Sequence, residues 1–171
     1  ADRHGVLEDR LAAPPADVPR QRLWKVRAKS IILATGAHER SVAYANNDLP
    51  GTMLAGAASV YVKRYAVRPG SRAVVFTNND RAYAAALALR SVDVEVAAVV
   101  DVRPESELVG MLPRRARELG VPLLPASAVV GARGRGRVSG VDIAPAAGGA
   151  VRALECDLVC VSGGYTPAIQ L

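Results

Sequence analysis

Two apolar segments that each break at glycine, with a strand–helix–strand unit between them, constrain this chain most. The first is Ile31-Ile32-Leu33-Ala34-Thr35-Gly36, and the second runs Asp157-Leu158-Val159-Cys160-Val161-Ser162-Gly163-Gly164, with Pro167 three residues on. Between them, residues 72–77 read as a strand and residues 81–91 as a helix rich in alanine, the strongest helix former. Residues 94–100 read as a second apolar strand, closed by Asp101. Parallel strands joined by a helix form a βαβ unit, whose crossover is right-handed. The reading is an α/β fold.

The rest of the chain fits around that unit. Residues 5–11 and 22–33 read as strands, joined by the proline-rich loop Ala12-Ala13-Pro14-Pro15-Ala16-Asp17-Val18-Pro19. Leu23-Trp24-Lys25-Val26-Arg27-Ala28 alternates apolar and polar, as a half-exposed strand does. The continuous apolar run at 30–34 predicts a strand buried on both faces. Residues 37–52 are polar and rich in turn formers. The spacing of Leu54, Ala57, Ala58, Tyr61 and Val62 predicts a helix over 53–65. A helix over 105–119 is expected, interrupted near Pro113 or split into two short ones, followed by a third strand at 121–124. Residues 128–155 read as an antiparallel meander with turns at 131–136 and 145–149. Arg133-Gly134-Arg135-Gly136-Arg137 is then a hairpin tip with solvated charges.

Composition narrows the function classes. Half of the 171 residues are hydrophobic but only 4% are aromatic, so the core is built from Ala, Val and Leu. The net charge of +6 comes with arginines scattered among acids and few aromatic platforms, a pattern that argues against nucleic acid. No membrane span or secretory signal is visible. Cys156 and Cys160 lack the spacing and partners of a zinc site, so no metal site is expected. Placed i, i+4 on one strand, they are expected to face the same way as small buried residues. Reduced cysteines suit a cytoplasmic protein. The start at Ala1 and the end just past a strand–turn make the chain read as a piece of a longer polypeptide.

A βαβ unit binds a dinucleotide by three devices: glycines that admit the pyrophosphate, a helix N-terminus, and an acid that takes the ribose hydroxyls. The acid is Asp101, 24 residues after Thr77. The glycines are missing. Thr77-Asn78-Asn79-Asp80-Arg81-Ala82 stands where the glycine loop would be, and only Ala82 is a usual substitute. Asp80 stabilises the start of the helix but repels a phosphate. Asn78 and Asn79 hold a ligand further off, although asparagine tolerates positive φ and donates hydrogen bonds. Asn78, Asn79 and Asp80 are all candidate N-caps. Arg103 is placed to reach an adenosine phosphate or to remain a solvated loop residue. Asp101 beside it disfavours a 2′-phosphate. His38-Glu39-Arg40 offers an acid–base pair in type only. Adjacent residues on an extended segment point apart, so Glu39 and Arg40 read as an ion pair or as the lining of a polar cleft. No catalytic residue is assigned.

The order of these motifs resembles the pyridine-nucleotide disulfide oxidoreductase superfamily. Its members show a strand ending Ala-Thr-Gly, an arginine-bearing turn, a Pro-Gly segment, a dinucleotide domain, and a return through Asp, apolar residues, Gly and Pro. Here these are Ala34-Thr35-Gly36, Pro50-Gly51, residues 72–101, and Asp157 through Gly164 to Pro167. A narrower resemblance is to the alpha subunits of heterotetrameric sarcosine oxidases. It rests on residues 34–40, Asn46-Asn47-Asp48-Leu49-Pro50-Gly51-Thr52-Met53-Leu54-Ala55-Gly56-Ala57, Thr77-Asn78-Asn79-Asp80-Arg81-Ala82-Tyr83, and residues 161–167. The glycine-poor loop is similar to that family's own pattern.

The resemblance implies a Rossmann-like three-layer NAD-binding domain with an antiparallel meander, plus flanking strands of an FAD-binding domain. Residues 1–52 are then a margin of the flavin domain, 53–156 an inserted NAD domain with its entry helix, and 157–171 the return strand. That return strand and the strand before Gly36 are expected outside the parallel sheet, with the two glycine turns close together. The resemblance implies NAD on Thr77, Asn78, Asn79, Asp80, Asp101 and Arg103, and the edge of an FAD pocket at Thr35, Gly36, Gly163 and Gly164. It places FMN, tetrahydrofolate and zinc elsewhere in a holoenzyme that demethylates sarcosine with oxygen. It implies other subunits as partners and a segment inactive by itself. The alternatives are a segment of a related opine-type or cyanide-synthase-type enzyme, or a non-catalytic docking module on a degenerate Rossmann unit.

Overall fold

The structure is a computed structural model and describes residues 23–170. The chain divides into two units, residues 1–34 and residues 35–171. In the first unit, residues 23–34 carry no helix or strand. The strand expected there does not form, and Leu23, Trp24, Val26, Ile31, Ile32 and Leu33 are exposed. The physical reason is the ladder. An apolar run becomes a buried strand only when a neighbour takes its N–H and C=O groups, and no strand among the described residues pairs with this one. The strand expected at 5–11 and its proline-rich linker lie outside the described residues.

The second unit opens with β1 (Ala37–Glu39), β2 (Thr52–Leu54) and α1 (Ala55–Tyr65). It continues with β3 (Arg72–Thr77), α2 (Arg81–Arg90), β4 (Glu95–Asp101), α3 (Met111–Glu118) and β5 (Leu123–Leu124). Then come β6 (Ser127–Arg133), β7 (Gly140–Pro145), β8 (Arg152–Glu155), β9 (Leu158–Ser162) and β10 (Tyr165–Pro167). Five strands form a parallel sheet in the order β2-β9-β3-β4-β5. The expected neighbours at 73–77, 94–100 and 121–124 are therefore neighbours. Strands β6, β7 and β8 form the expected antiparallel meander.

Alternation along the strands builds two cores. Ala73 and Val75 of β3 and Leu158 and Cys160 of β9 pack against α1, α2 and α3. Val74, Phe76, Val159 and Val161 point the other way, onto Val129, Val141 and Ile143 of the meander. A one-residue bulge lies at Ala97, where Ala73 pairs with Val96 and Val74 with Ala98. A bulge resets the two-residue period. That is why Val96 joins the helical core and Ala98 the meander core. The result is three layers: helices, parallel sheet, meander.

Several expectations need correction. Residues 52–54 are a strand rather than the start of a helix, because β9 offers them a parallel ladder. Pro113 does not interrupt a helix. A single 3-10 turn covers Glu105–Glu107, and α3 starts at Met111, so Pro113 falls in a first turn whose N–H groups lack helical partners anyway. The strand ending at Gly164 lies inside the sheet, between β2 and β3, rather than outside it. The two glycine turns are close together as expected: β1 pairs antiparallel with β10, and the Ala168 N–H donates to the Gly36 carbonyl at 3.0 Å.

Cys156 and Cys160 face opposite ways, Cys156 into the meander core and Cys160 into the helical core. Asp157 breaks the strand between them. Its carboxylate accepts the Ser71 N–H at 3.0 Å and the Arg72 N–H at 2.8 Å, anchoring the start of β3. Burial pushes the Cys156 thiol up to about 11 and the Cys160 thiol up to about 12, from an ordinary 9.0. The thiolate is the reactive form, so both cysteines of the folded chain should resist an aromatic disulfide reagent at pH 8. Both should react at once in guanidinium, and rapid labelling of the native chain would refute this packing. The neutral thiol is the form the fold favours. Its contribution to stability is therefore whole below the unfolded thiol's pKa and is lost as pH rises toward 12.

Candidate dinucleotide site

Ligands of open α/β sheets bind beyond the carboxyl ends of the strands, where the strand order reverses. Here β3 leads through α2 to β4 on one side, while β9 flanks it on the other. The loop Thr77-Asn78-Asn79-Asp80 leaves β3 at that edge. The Thr77 hydroxyl accepts the Asn79 N–H at 3.0 Å and donates to the Asn79 carbonyl at 3.1 Å, closing the turn. Asn79 braces the loop on both sides. Its amide donates to the Ser162 carbonyl at 3.2 Å and the Ser162 hydroxyl at 3.1 Å, and its Oδ1 accepts the Arg81 N–H at 3.1 Å. Asn79 is thus the working cap of α2, and the Asp80 side chain makes no cap bond. The Asn78 amide reaches the Gly163 carbonyl at 3.4 Å. Neither asparagine adopts positive φ. Both side chains turn toward β9, so they brace the turn rather than stand over it.

The far wall is backbone. The Arg40 N–H donates to the Gly164 carbonyl at 2.9 Å, and the Gly163 N–H to the Arg40 carbonyl at 2.7 Å. A Cβ on Gly163 would lie 2.9 Å from the Ser41 carbonyl and from Val42 Cγ2. Gly164 has φ +94°, a conformation that favours glycine. Gly163 is thus required by the close approach of the 40–42 segment, and Gly164 by its backbone conformation. Thr35 donates through its hydroxyl to the Ala168 carbonyl, next to the Gly36–Ala168 bond.

Glu39 does not act as an ion-pair partner of Arg40 among the described contacts. Its Oε2 accepts the Gly56 N–H at 2.8 Å at the start of α1, and its Oε1 accepts the Tyr165 hydroxyl at 3.2 Å. Burial, and then Glu39, raises the Tyr165 hydroxyl above its ordinary range. The Arg81 guanidinium lies 4.6 Å from the centre of the Tyr165 ring, a cation–π distance. Tyr165, Arg81 and Glu39 thus join the edge of the site. The sequence offered Glu39 only as an ion-pair partner of Arg40 or the lining of a polar cleft, and did not place Tyr165 or Arg81 beside it, because the partners of Glu39 are 17 to 126 residues away.

Asp101 stands at the expected end of β4, but it is wholly buried. Its Oδ1 accepts the Arg103 N–H at 3.0 Å and Arg103 Nε at 3.1 Å. Its Oδ2 accepts the Tyr83 hydroxyl at 2.9 Å and Arg103 Nη2 at 2.8 Å. A carboxylate offers about four acceptor positions, and all are taken. Burial and the neighbouring carboxylate raise the Tyr83 hydroxyl well above its ordinary range. The hydrogen bond to Asp101 does most to raise Arg103. Arg103 Nη2 also pairs with Asp80 Oδ1 at 2.9 Å. The charge at the helix start is therefore partly neutralised. Tyr83, a lone tyrosine in an alanine-rich helix, was the available signal for this network.

A cleft of about 510 Å³ lies at the opposite edge of the sheet, lined by Arg90, Asp93, Glu95, Gly120 and Pro122. Arg90 there is already bonded to the Leu119 carbonyl. Among the described residues no cluster of His, Cys, Asp and Glu is placed to hold a metal, and no helix is long and apolar enough to cross a membrane.

No family model matches the chain. It is 35% identical over 166 residues to sarcosine oxidase subunit alpha of Rhizobium meliloti (strain 1021), covering 96% of this chain and 16% of that protein. It is 40% identical over 162 residues to the same subunit of Corynebacterium sp. (strain P-1), covering 91% of this chain and 16% of that one. The hydrogen cyanide synthase subunit HcnB of Pseudomonas aeruginosa is 30% identical over 141 residues, covering 73% of this chain and 30% of that protein. Among solved structures, thioredoxin reductase of T. acidophilum matches 78% of this chain and 43% of that one with TM-score 0.63 at 17% identity. An FAD-dependent pyridine nucleotide-disulphide oxidoreductase of Desulfovibrio vulgaris matches 85% of this chain and 38% of that one with TM-score 0.59 at 21% identity. These structures share the fold.

Proposed function

From a chain that is related by sequence to one segment of the sarcosine oxidase alpha subunits and carries the fold of the pyridine-nucleotide disulfide oxidoreductases, we propose a dinucleotide-binding segment that takes NAD. The chain spans about a sixth of the length of the alpha subunits it matches. In this reading residues 157–171 lead back toward a flavin domain, and the glycine turns at Gly36 and Gly164 border its FAD. FMN, tetrahydrofolate and zinc belong to other parts of the assembly, and other subunits are its partners. Oxidation of the amine happens outside this segment.

The single observation that carries the NAD reading is the braced loop Thr77-Asn78-Asn79-Asp80 at the start of α2, opposite the bare backbone of Gly163 and Gly164. These residues fit a dinucleotide. The start of α2, with its Arg81 N–H capped by Asn79, offers the positive end of a helix dipole to a pyrophosphate. Arg81, stacked over the Tyr165 ring, adds a cation at the same end. Arg103 offsets the charge of Asp80, which otherwise opposes a phosphate. When bound, NAD supplies a nicotinamide that accepts or gives a hydride. This chain's residues bind and orient it.

The test is a thermal and calorimetric titration of the full-length protein with NAD. A ligand that binds only the folded state adds about 2.7 kcal/mol at one hundred times its dissociation constant, so millimolar NAD should raise the melting temperature. Asn79→Ala removes the helix cap and the brace to Ser162 and should weaken the binding severalfold. No shift at millimolar NAD would instead favour a Rossmann unit kept for architecture alone.

A further inference from the structure

The saturated carboxylate of Asp101 raises a question that the NAD reading leaves open. In a βαβ unit the acid that ends the second strand normally takes the ribose hydroxyls. Here that acid is wholly buried, and its two oxygens are filled by Tyr83 and Arg103. The group that reaches the surface at this strand end is the Arg103 side chain, 20% exposed, with the Asp80 side chain, 38% exposed, beyond it.

We propose that Arg103, clamped between Asp101 and Asp80, is the group that meets the adenosine ribose, and that Asp80 sets the choice between a 2′-hydroxyl and a 2′-phosphate. This rests on the dinucleotide reading above and deepens it.

The two carboxylates hold the guanidinium differently. Asp101 binds it in fork fashion through Nε and Nη2, at 3.1 and 2.8 Å. Such a bidentate pair fixes the guanidinium plane. Asp80 holds it loosely. Its Oδ1 lies 2.9 Å from Nη2 but has no aligned hydrogen-bond donor. Its Oδ2 occupies space beside Gly110 that a side chain would fill, because a Cβ on Gly110 would stand 1.8 Å from that oxygen. Asp80 is thus the adjustable member, held in place by the bare backbone at the start of α3.

The charges give the preference. Within the clamp itself, two carboxylates and one guanidinium leave a net charge of −1. A 2′-phosphate carries about −1.5 to −2 and is repelled, whereas a hydroxyl is not. With Asp80 neutral, the cluster has no net charge and the guanidinium has lost one of its two charged partners. An arginine so released is the group that accommodates a 2′-phosphate.

The test measures NAD and NADP affinities of the full-length protein by calorimetry for the wild type, Asp80→Asn and Gly110→Ala. The wild type should prefer NAD. Asp80→Asn should narrow the NAD:NADP preference by about tenfold, chiefly through tighter NADP, the scale on which one nearby unit charge acts. Gly110→Ala keeps every charge but displaces the Asp80 carboxylate from the clamp, so it should move the ratio the same way. Melting temperatures of both variants establish that they are folded. A ratio unchanged in folded Asp80→Asn, with NAD still bound, overturns this inference and leaves the NAD reading standing. A wild type that binds neither dinucleotide overturns both.

Discussion

A chain ended after Glu155 does not fold. The residues removed include β9, which lies between β2 and β3 and whose five residues are all buried. Leu158, Val159 and Val161 each lose a fully buried environment, at about 1.5–3 kcal/mol per side chain. Both faces of the sheet lose a row, since Leu158 belongs to the helical core and Val159 to the meander core. The β3 backbone loses its ladder on that side, and Ser71 and Arg72 lose the carboxylate of Asp157. These losses together match the whole stability of an ordinary domain, about 5–15 kcal/mol. Circular dichroism and a proteolysis time course should show an unfolded chain. A cooperative melt of the truncated protein would mean that β9 is an accessory strand, as its expected place outside the sheet implied. Val159→Asp puts an unpaired charge in the same strand and should unfold the chain without shortening it.

Asp101→Ala destabilises the folded chain by about 3–5 kcal/mol, the scale of removing one partner from a buried ion pair. Arg103 then keeps its charge, with only the outlying Asp80 as partner. The hydroxyl of Tyr83, a side chain with no exposure, is left without an acceptor. The melting temperature should fall on the order of 10 °C. Adding Tyr83→Phe to Asp101→Ala removes the stranded hydroxyl and should recover part of the loss, so the two changes are not additive. A double-mutant cycle by thermal melts measures this coupling. An Asp101→Ala protein as stable as the wild type would show that the carboxylate is free for other work, and the ribose role would return to it.

Much of the architecture was legible along the chain. β3, α2, β4, β5 and the meander follow from local signals: apolar runs, an alanine-rich segment, and glycines and prolines between them. Such patterns are set by residues a few positions apart, where backbone geometry and period decide. The acid at the end of β4 and the polar loop after β3 were legible in the same way.

What the sequence by itself determined, then, is the set of elements and the chemistry brought to the strand ends. The tertiary structure alone decided the rest, because those outcomes depend on partners distant in sequence. Residues 52–54 are a strand only because β9 pairs with them, and residues 31–34 are not one because no strand among the described residues pairs with them. Cys156 and Cys160 part company because Asp157 turns aside to bind the start of β3. The spacing of Asp101 and Arg103 was plain to read, yet nothing local says which way a carboxylate turns. Tyr83, 18 residues upstream on a helix packed across the strand, brings a buried donor to it and Arg103 closes over the other side. The low dielectric there favours a fully paired carboxylate over one left open for a ligand.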